Sequence, residues 1–293
     1  MSESSSTTPD QSTDQTEKEP DVSTEENEGD SAPEDATSSE QSSEPFTAAI
    51  EAENLQAALD SVGVLVDECK VHLTSNGWEI RAVDPANVGM VDLDLATGAF
   101  ESYQGANGII GVRLERFRDV VGMADAGQLI HLELMRETRD LKITYDGLEY
   151  TLALLDPEGI RKEPDAGKLN QEFPATVELK GAQLIRAKTA AKMVADHIQF
   201  SVSEAQEEFV VTAEGDTDTV DFNLTEDDLE SLQPANVSSV FSIEYIKKVV
   251  RPIDKTTEVV LEIGNEYPIS ISFALSEDGA EVSYLIAPRI QQD

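Results

Sequence analysis

The chain has 293 residues, 39% of them hydrophobic, with 59 acidic against 21 basic side chains, a formal net charge of -38 and one cysteine, Cys69. That length predicts two ordinary domains, because single cores tend to split beyond roughly 250 residues. A lone cysteine excludes intramolecular disulfides and cysteine-based zinc sites, and no run of about 18 apolar residues is present to span a membrane.

The N-terminal MSESSSTTPD lacks the basic and apolar regions of a secretory signal, so a cytoplasmic protein is expected. Residues 1–45 carry Ser, Thr, Glu, Asp and Gln with almost no aliphatic side chains. Such a segment buries too little apolar surface to offset its ordering entropy, which predicts a disordered acidic tail. The wider acidity reads as adaptation to a salt-rich cytoplasm: dense carboxylates repel one another, and salt screens them over about 10 Å or less.

From Phe46 the pattern changes to alternating and helical periodicities. FTAAIEAENLQAALDSVGVLVDECKVHLTSNGWEIRAVDPANVGMVDLDL begins at Phe46, and FPATVELKGAQLIRAKTAAKMVADHIQFSVSEAQEEFVVTAEGDTDTVDFNL begins at Phe173. Each predicts a short strand, a helix of about four turns, then strands in period-two alternation. Downstream, VRLERFRDVVGMADAGQLIHLELMRETRDLKITYD from Val112 and FSIEYIKKVVRPIDKTTEVVLEIGNEYPISISFAL from Phe241 each predict strand, short helix, strands. An offset of 127 to 129 residues relates both pairs, so the chain is an internal duplication. The expected organisation is an α+β fold with an N-terminal domain over 46–156, a connector over 157–172 and a C-terminal domain over 173–293. Pro157, Pro164 and two glycines among charged residues mark the connector as exposed.

The helix faces differ between the units. In AENLQAALDSVGVLVDE, Leu55, Ala58, Leu59, Val62, Leu65 and Val66 form an apolar stripe, with Gln56, Asp60 and Gly63 opposite. In KGAQLIRAKTAAKMVAD, Lys180, Arg186, Lys188 and Lys192 meet no acid between them. In IEYIKKVVRPIDK, Ile246, Val249, Val250 and Ile253 seek the core, while Lys247 and Arg251 share the outer face at i and i+4. Eight of the 21 basic residues therefore sit in two short helical segments of the second unit, a positive stripe inside a negative envelope.

Duplicated β-rich units with two helices each, AVDPANVGMVDLDL after the first hairpin, GLEYTLAL around Tyr150, LALLD leading into the connector and the ending YLIAPRI together resemble the archaeal and eukaryotic DNA sliding clamps, the proliferating cell nuclear antigen family. The resemblance covers about residues 46–290 and, with the acidity, points to a halophilic archaeal version. It implies a homotrimeric ring, antiparallel sheets outside and helices lining a hole around duplex DNA. Lysines and arginines facing the hole would meet phosphates without reading bases. The resemblance places Arg118, Arg186, Lys247 and Arg251 there, with Lys192 and Lys248 beside them. The first helix departs from it, since Gln56, Asp60 and Gly63 carry no positive charge; the DNA contact is then lopsided or bridged by cations.

It also implies a pocket for a short peptide with one aliphatic and two aromatic anchors. The corresponding residues are Val83, Asn87, Val88 and Met90, Ile160 in the connector, Pro268, and Ile286, Ala287, Pro288 and Ile290 at the end. Partners of that kind are the replicative DNA polymerase, the clamp loader, a flap endonuclease and DNA ligase. The trimer contact is expected as edge-strand pairing between the strand of Tyr150 and the strand near DTDTVDFNL, where Asp216, Asp218 and Asp221 add repulsion that salt screens.

Nothing in the sequence has the spacing of a catalytic or metal site. His72, His131 and His197 show no HExxH spacing, GANGIIG lacks the dinucleotide fingerprint, and no nucleophile elbow or phosphate loop is present. No cofactor, metal or catalytic residue is expected. A reading of another class, an acidic β-rich ligand-binding or hydrolytic protein whose duplication is architectural, predicts a monomer or dimer with a concave polar pocket.

Overall fold

Strands and helices follow one order twice in the computed structural model, which describes residues 46–105, 107–164, 172–276 and 279–289. The first pass runs β1 (Thr47–Glu51), α1 (Ala52–Gly63), β2 (Glu68–Thr74), β3 (Gly77–Val83), β4 (Gly89–Ala96), β5 (Ser102–Gln104), β6 (Gly108–Arg113), α2 (Leu114–Val121), β7 (Leu129–Met135), β8 (Asp140–Tyr145) and β9 (Leu148–Ala153). The second runs β10 (Ala175–Lys180), α3 (Gly181–Ala191), β11 (His197–Ser203), β12 (Glu208–Glu214), β13 (Thr219–Thr225), β14 (Ser231–Gln233), β15 (Val237–Ser242), α4 (Ile243–Val249), β16 (Glu258–Ile263), β17 (Ile269–Ser276) and β18 (Ala280–Ile286). This is the duplicated antiparallel fold with two helices per repeat that the periodicities predict. The tail predicted over residues 1–45 lies outside the described residues, as does the connector stretch 165–171.

The strands form sheets ordered β5-β1-β7-β8-β9, β13-β12-β11-β15 and β14-β10-β16-β17-β18-β4-β3-β2-β6. Translated through the repeat, the nine-stranded sheet is the five-stranded arrangement of the second unit fused to the four-stranded arrangement of the first. The joint is β18 against β4, antiparallel over seven residue pairs from Ala280↔Leu95 to Ile286↔Gly89. In the repeat, β9 corresponds to β18 and β13 to β4. Within the described chain β9 and β13 each end a sheet with one edge unpaired.

Alternation builds the core. In β2, Cys69, Val71 and Leu73 are buried, and in β4, Val91, Leu93 and Leu95, while Glu79, Arg81, Asp92 and Asp94 stand on the opposite face. The helices cover the apolar face: α1 buries Leu55, Ala58, Leu59 and Val62, and lies against α2 and against β4, β17 and β18. Because α1 reaches strands of both repeats, one hydrophobic cluster runs through the whole unit. Tyr284 of β18 is fully buried beneath α1 and its hydroxyl donates to the Ser61 carbonyl at 2.8 Å. Burial pushes the Cys69 thiol up to about 12, with Glu163 and Glu68 adding to it, so the single cysteine is a small hydrophobe and not a nucleophile. No described helix is long and apolar enough to cross a membrane.

Candidate functional site

Arg186, Lys188, Lys192, Lys247, Lys248 and Arg251 lie on or just beyond α3 and α4, whereas Lys180, before α3, is paired with Glu258 at 2.7 Å and Glu230 at 3.6 Å. Helix α3 starts on Gly181, where a β-carbon would lie 2.1 Å from the Asp254 carbonyl oxygen, so only glycine lets the helix begin this close to the segment after α4. It buries Leu184, Ala187 and Ala191 and exposes Arg186, with Lys192 exposed at its C-cap. Helix α4 buries Ile243, Ile246 and Val249, leaving Lys247 and Lys248 exposed, with Arg251 exposed just beyond it. The half-buried Lys188 ammonium is held below its ordinary range by burial, then by the positive charges of Lys192 and Lys247. Lys247 meets Glu244 at 3.6 Å, an exposed i,i+3 pair worth little. The Arg186 guanidinium sits 5.6 Å from the Phe222 ring centre and the Lys248 ammonium 5.2 Å from that of Tyr245. Lys188 belongs to this cluster by position. The sequence places it on the basic helix, and only its half-burial between α3 and α4 singles it out.

The first helix pair is different. Arg118 of α2 lies across α1, its Nε 2.6 Å and Nη2 2.5 Å from Asp60 Oδ1. A β-carbon on Gly63 would come within 2.9 Å of the Arg118 Nη1, so the small residue makes room for the arginine. Gln56 donates from Nε2 to the carbonyls of Val121 and Ala124 at 2.9 and 3.1 Å, satisfying acceptors at the C-terminal end of α2. The three uncharged or acidic positions read from the first helix thus serve its packing with α2, and Arg118 is answered by a carboxylate. The basic field is lopsided toward the second repeat.

A second cluster forms where the loop after β3, the connector and the chain end meet. Asp84, 3% exposed, is its organiser. Its Oδ1 accepts the N–H groups of Val88 and Gly89, both at 2.7 Å; its Oδ2 accepts the Ala86 N–H at 3.0 Å and the Tyr245 hydroxyl at 2.7 Å. Burial pushes the carboxyl upward, but the Gly89 N–H, the Tyr245 hydroxyl and the N–H groups of Ala86 and Val88 together hold it below the usual carboxylate range. Asn87 takes a positive φ of 58° and accepts from Arg161 of the connector at 2.5 Å. The Ala287 N–H donates to the Val88 carbonyl at 2.8 Å, which lays the chain end along the loop. Val83 and Met90 face each other across β3 and β4, both half-buried. Pro268 and Pro288 are half-buried as well. Ile160 is buried against Gly111, and Ile286 is fully buried beside Gly89, so in the isolated chain these two side chains underlie the surface. Ile290 lies outside the described residues. His72 Nε2 sits 2.7 Å from Glu163 Oε1, a further tie of the connector to β2. Asp84 and Arg161 are absent from the residues that the motifs suggest; the Asp-Pro-Ala-Asn turn signal could have flagged the first, since Asx side chains commonly bind backbone N–H groups just downstream.

Tyr150 stands half-buried on β9, and Asp216, Asp218 and Asp221 are exposed at and before β13, the other open edge. Among the described residues no group of three or more His, Cys, Asp or Glu is placed to hold a metal ion.

The chain is similar to known proteins over most of its length. Residues 47–147 match the family described as proliferating cell nuclear antigen, N-terminal domain. The DNA polymerase sliding clamps of Haloarcula marismortui and Natronomonas pharaonis are each 53% identical over 248 residues, 85% of this chain and 100% of theirs. A solved structure of A. fulgidus PCNA with the bound C-terminal region of FEN-1 superposes with a TM-score of 0.80 at 31% identity, covering 85% of this chain and 100% of that one. Identity of this order across a whole relative, together with a twice-repeated clamp topology, establishes that the chain belongs to the DNA polymerase sliding clamp family, the family of proliferating cell nuclear antigen.

Proposed function

We propose that three copies close into a ring around duplex DNA and carry replication and repair enzymes along it. The observation that carries this reading is the β18–β4 joint, in which the last strand of one repeat completes the sheet of another. The equivalent strands β9 and β13 have open edges, and the same joint made between copies pairs them, leaving neither of the two exposed. Each copy contributes two repeats, read as domains over 46–156 and 173–293 with the connector between. Tyr150 then lies in the contact, and Asp216, Asp218 and Asp221 give it a salt dependence.

Sliding clamps are non-catalytic processivity factors, and the chemistry required of them is sequence-independent attraction to phosphates. Arg186, Lys188, Lys192, Lys247, Lys248 and Arg251 supply it. Neutralised phosphates release counterions, so binding through these residues weakens steeply with salt while base sequence leaves it unchanged. The cluster around Asp84 is the partner groove: Val83, Asn87, Val88 and Met90 on one side, Pro268, Ala287 and Pro288 on another, Ile160 and Ile286 beneath; Ile290, outside the described residues, is assigned to it by the family resemblance alone. The relative's complex with the C-terminal region of FEN-1 supports a flap endonuclease partner; the polymerase, the clamp loader and ligase are proposed on the same groove.

The test is polymerase processivity on a primed circular template. Lys247→Ala with Arg251→Ala is expected to shorten products about tenfold while the trimer mass and unfolding midpoint hold; unchanged product length removes the pair from the DNA contact. The converse change is Asp60→Asn, which releases Arg118. It is expected to tighten DNA binding about two- to fivefold and to steepen its salt dependence, as one added phosphate contact does; titrations at several salt concentrations measure both.

A further inference from the structure

Tyr245 is shared by the two sites. On one side its ring lies under the Lys248 ammonium at 5.2 Å, on the basic face of α4. On the other its hydroxyl donates to Asp84 at 2.7 Å, a contact between residues 161 positions apart in the chain. Asp84 in turn holds the N–H groups of Ala86, Val88 and Gly89, and that loop carries the Val88 carbonyl that receives Ala287 and the Asn87 side chain that receives Arg161. An unbroken series of contacts therefore runs from the second repeat's basic helix to the first repeat's loop, the chain end and the connector. Burial, the bond to Asp84 and its negative charge push the Tyr245 hydroxyl up to about 12, so it remains a donor at neutral pH.

A cation over a phenol ring draws electron density from it and strengthens its O–H as a donor. Lys248 on the ring thus tightens the bond to Asp84 and with it the loop; Lys248 drawn to a phosphate relaxes both. We infer that Tyr245 and Asp84 are positioning residues that couple the DNA-facing helix to the partner groove, so that DNA in the ring weakens peptide binding and a bound peptide weakens DNA contact by the same factor. The reciprocity is required by linkage. The inference rests on the assignments of DNA face and groove made above. Its consequence is that partners exchange more readily on a loaded ring than on a free one.

The test measures the Kd of a fluorescein-labelled peptide bearing one aliphatic and two aromatic anchors, at fixed high salt, for free rings and for rings loaded on closed circular DNA. The wild-type ring is expected to bind the peptide about two- to fivefold more weakly when loaded, the size of an exposed cation–π contact. Tyr245→Phe, which keeps the ring and removes the donor, is expected to bring that ratio to one. Lys248→Met, which keeps the side-chain length and removes the charge, is expected to give free rings the weaker affinity of the loaded state, a shift that a merely structural tyrosine would not produce. A wild-type ratio of one or on the other side of one, or a ratio that Tyr245→Phe leaves unchanged, overturns the coupling. Failure of the peptide to bind free rings, or of the rings to load, overturns the groove or the DNA face itself, and the coupling with it.

Discussion

Asp84→Ala lowers protomer stability by about 3 kcal/mol and weakens peptide binding at least tenfold. The substitution leaves the N–H groups of Ala86, Val88 and Gly89 and the Tyr245 hydroxyl without their acceptor. An unsatisfied buried donor costs roughly 1–3 kcal/mol. Water reaches Ala86, which is exposed, and replaces part of what is lost there; it reaches buried Gly89 poorly, so the total stays well below the sum of four such losses. Chemical denaturation at fixed high salt measures the effect. The gap between wild type and variant also has a pH dependence of definite sign. The folded carboxyl is held below its ordinary value, so its contribution is fully present above the unfolded pKa of about 3.9 and is lost as pH falls through the lower folded value. The gap therefore stays constant from neutral pH down to about pH 5 and narrows below about pH 4. A gap that narrows near neutrality would contradict the assignment of Asp84 as an ionised hub.

Thr151→Pro converts the trimer into protomers. Tyr145 and Leu148 close a two-residue turn through Asp146 and Gly147, whose φ values of 44° and 79° are those of a type I′ hairpin. The closing pair is hydrogen-bonded and the ladder alternates from it, so Leu148, Tyr150 and Leu152 bond to β8, while Glu149, Thr151 and Ala153 turn their backbone groups to the open edge. Proline at 151 removes an outward N–H and leaves the β8 ladder intact, the placement that edge strands tolerate. Light scattering at about 2 M salt is expected to give three times 31.9 kDa for the wild type and a single 31.9 kDa for the variant, with the variant still unfolding cooperatively. A wild-type protomer mass under those conditions would remove the closed ring as the resting state. At about 0.1 M salt the wild type is expected to dissociate as well, because screening of Asp216, Asp218 and Asp221 is lost.

Particular residues show how far the amino-acid order carries these conclusions. Leu55, Ala58, Leu59 and Val62 at helical spacing are the buried face of α1, and the alternation in VDLDL is the buried and exposed set of β4. The repeat at 127 to 129 residues anticipates the matching element order of the two halves. These features are periodic, and a period is local: it follows from 3.6 residues per helical turn or two per strand repeat, whatever the rest of the chain does. Arg118 illustrates the limit. The family resemblance assigns it to the DNA face, yet Asp60, 58 positions earlier, takes its charge, and no local rule pairs residues across that span. Tyr245 and Asp84, 161 positions apart, are a stronger case, since neither has a spacing or motif that announces the other.

The amino-acid sequence by itself determined the class of fold, its duplication, the family and the basic character of the second repeat's helices, because composition, periodicity and motif order are properties of the chain in one dimension. Only the tertiary structure decided which charges stay unanswered, which strand edges stay open and which side chain joins the basic helix to the groove. Those depend on distances between residues far apart in sequence, set by how α1 packs on α2 and how β18 closes on β4.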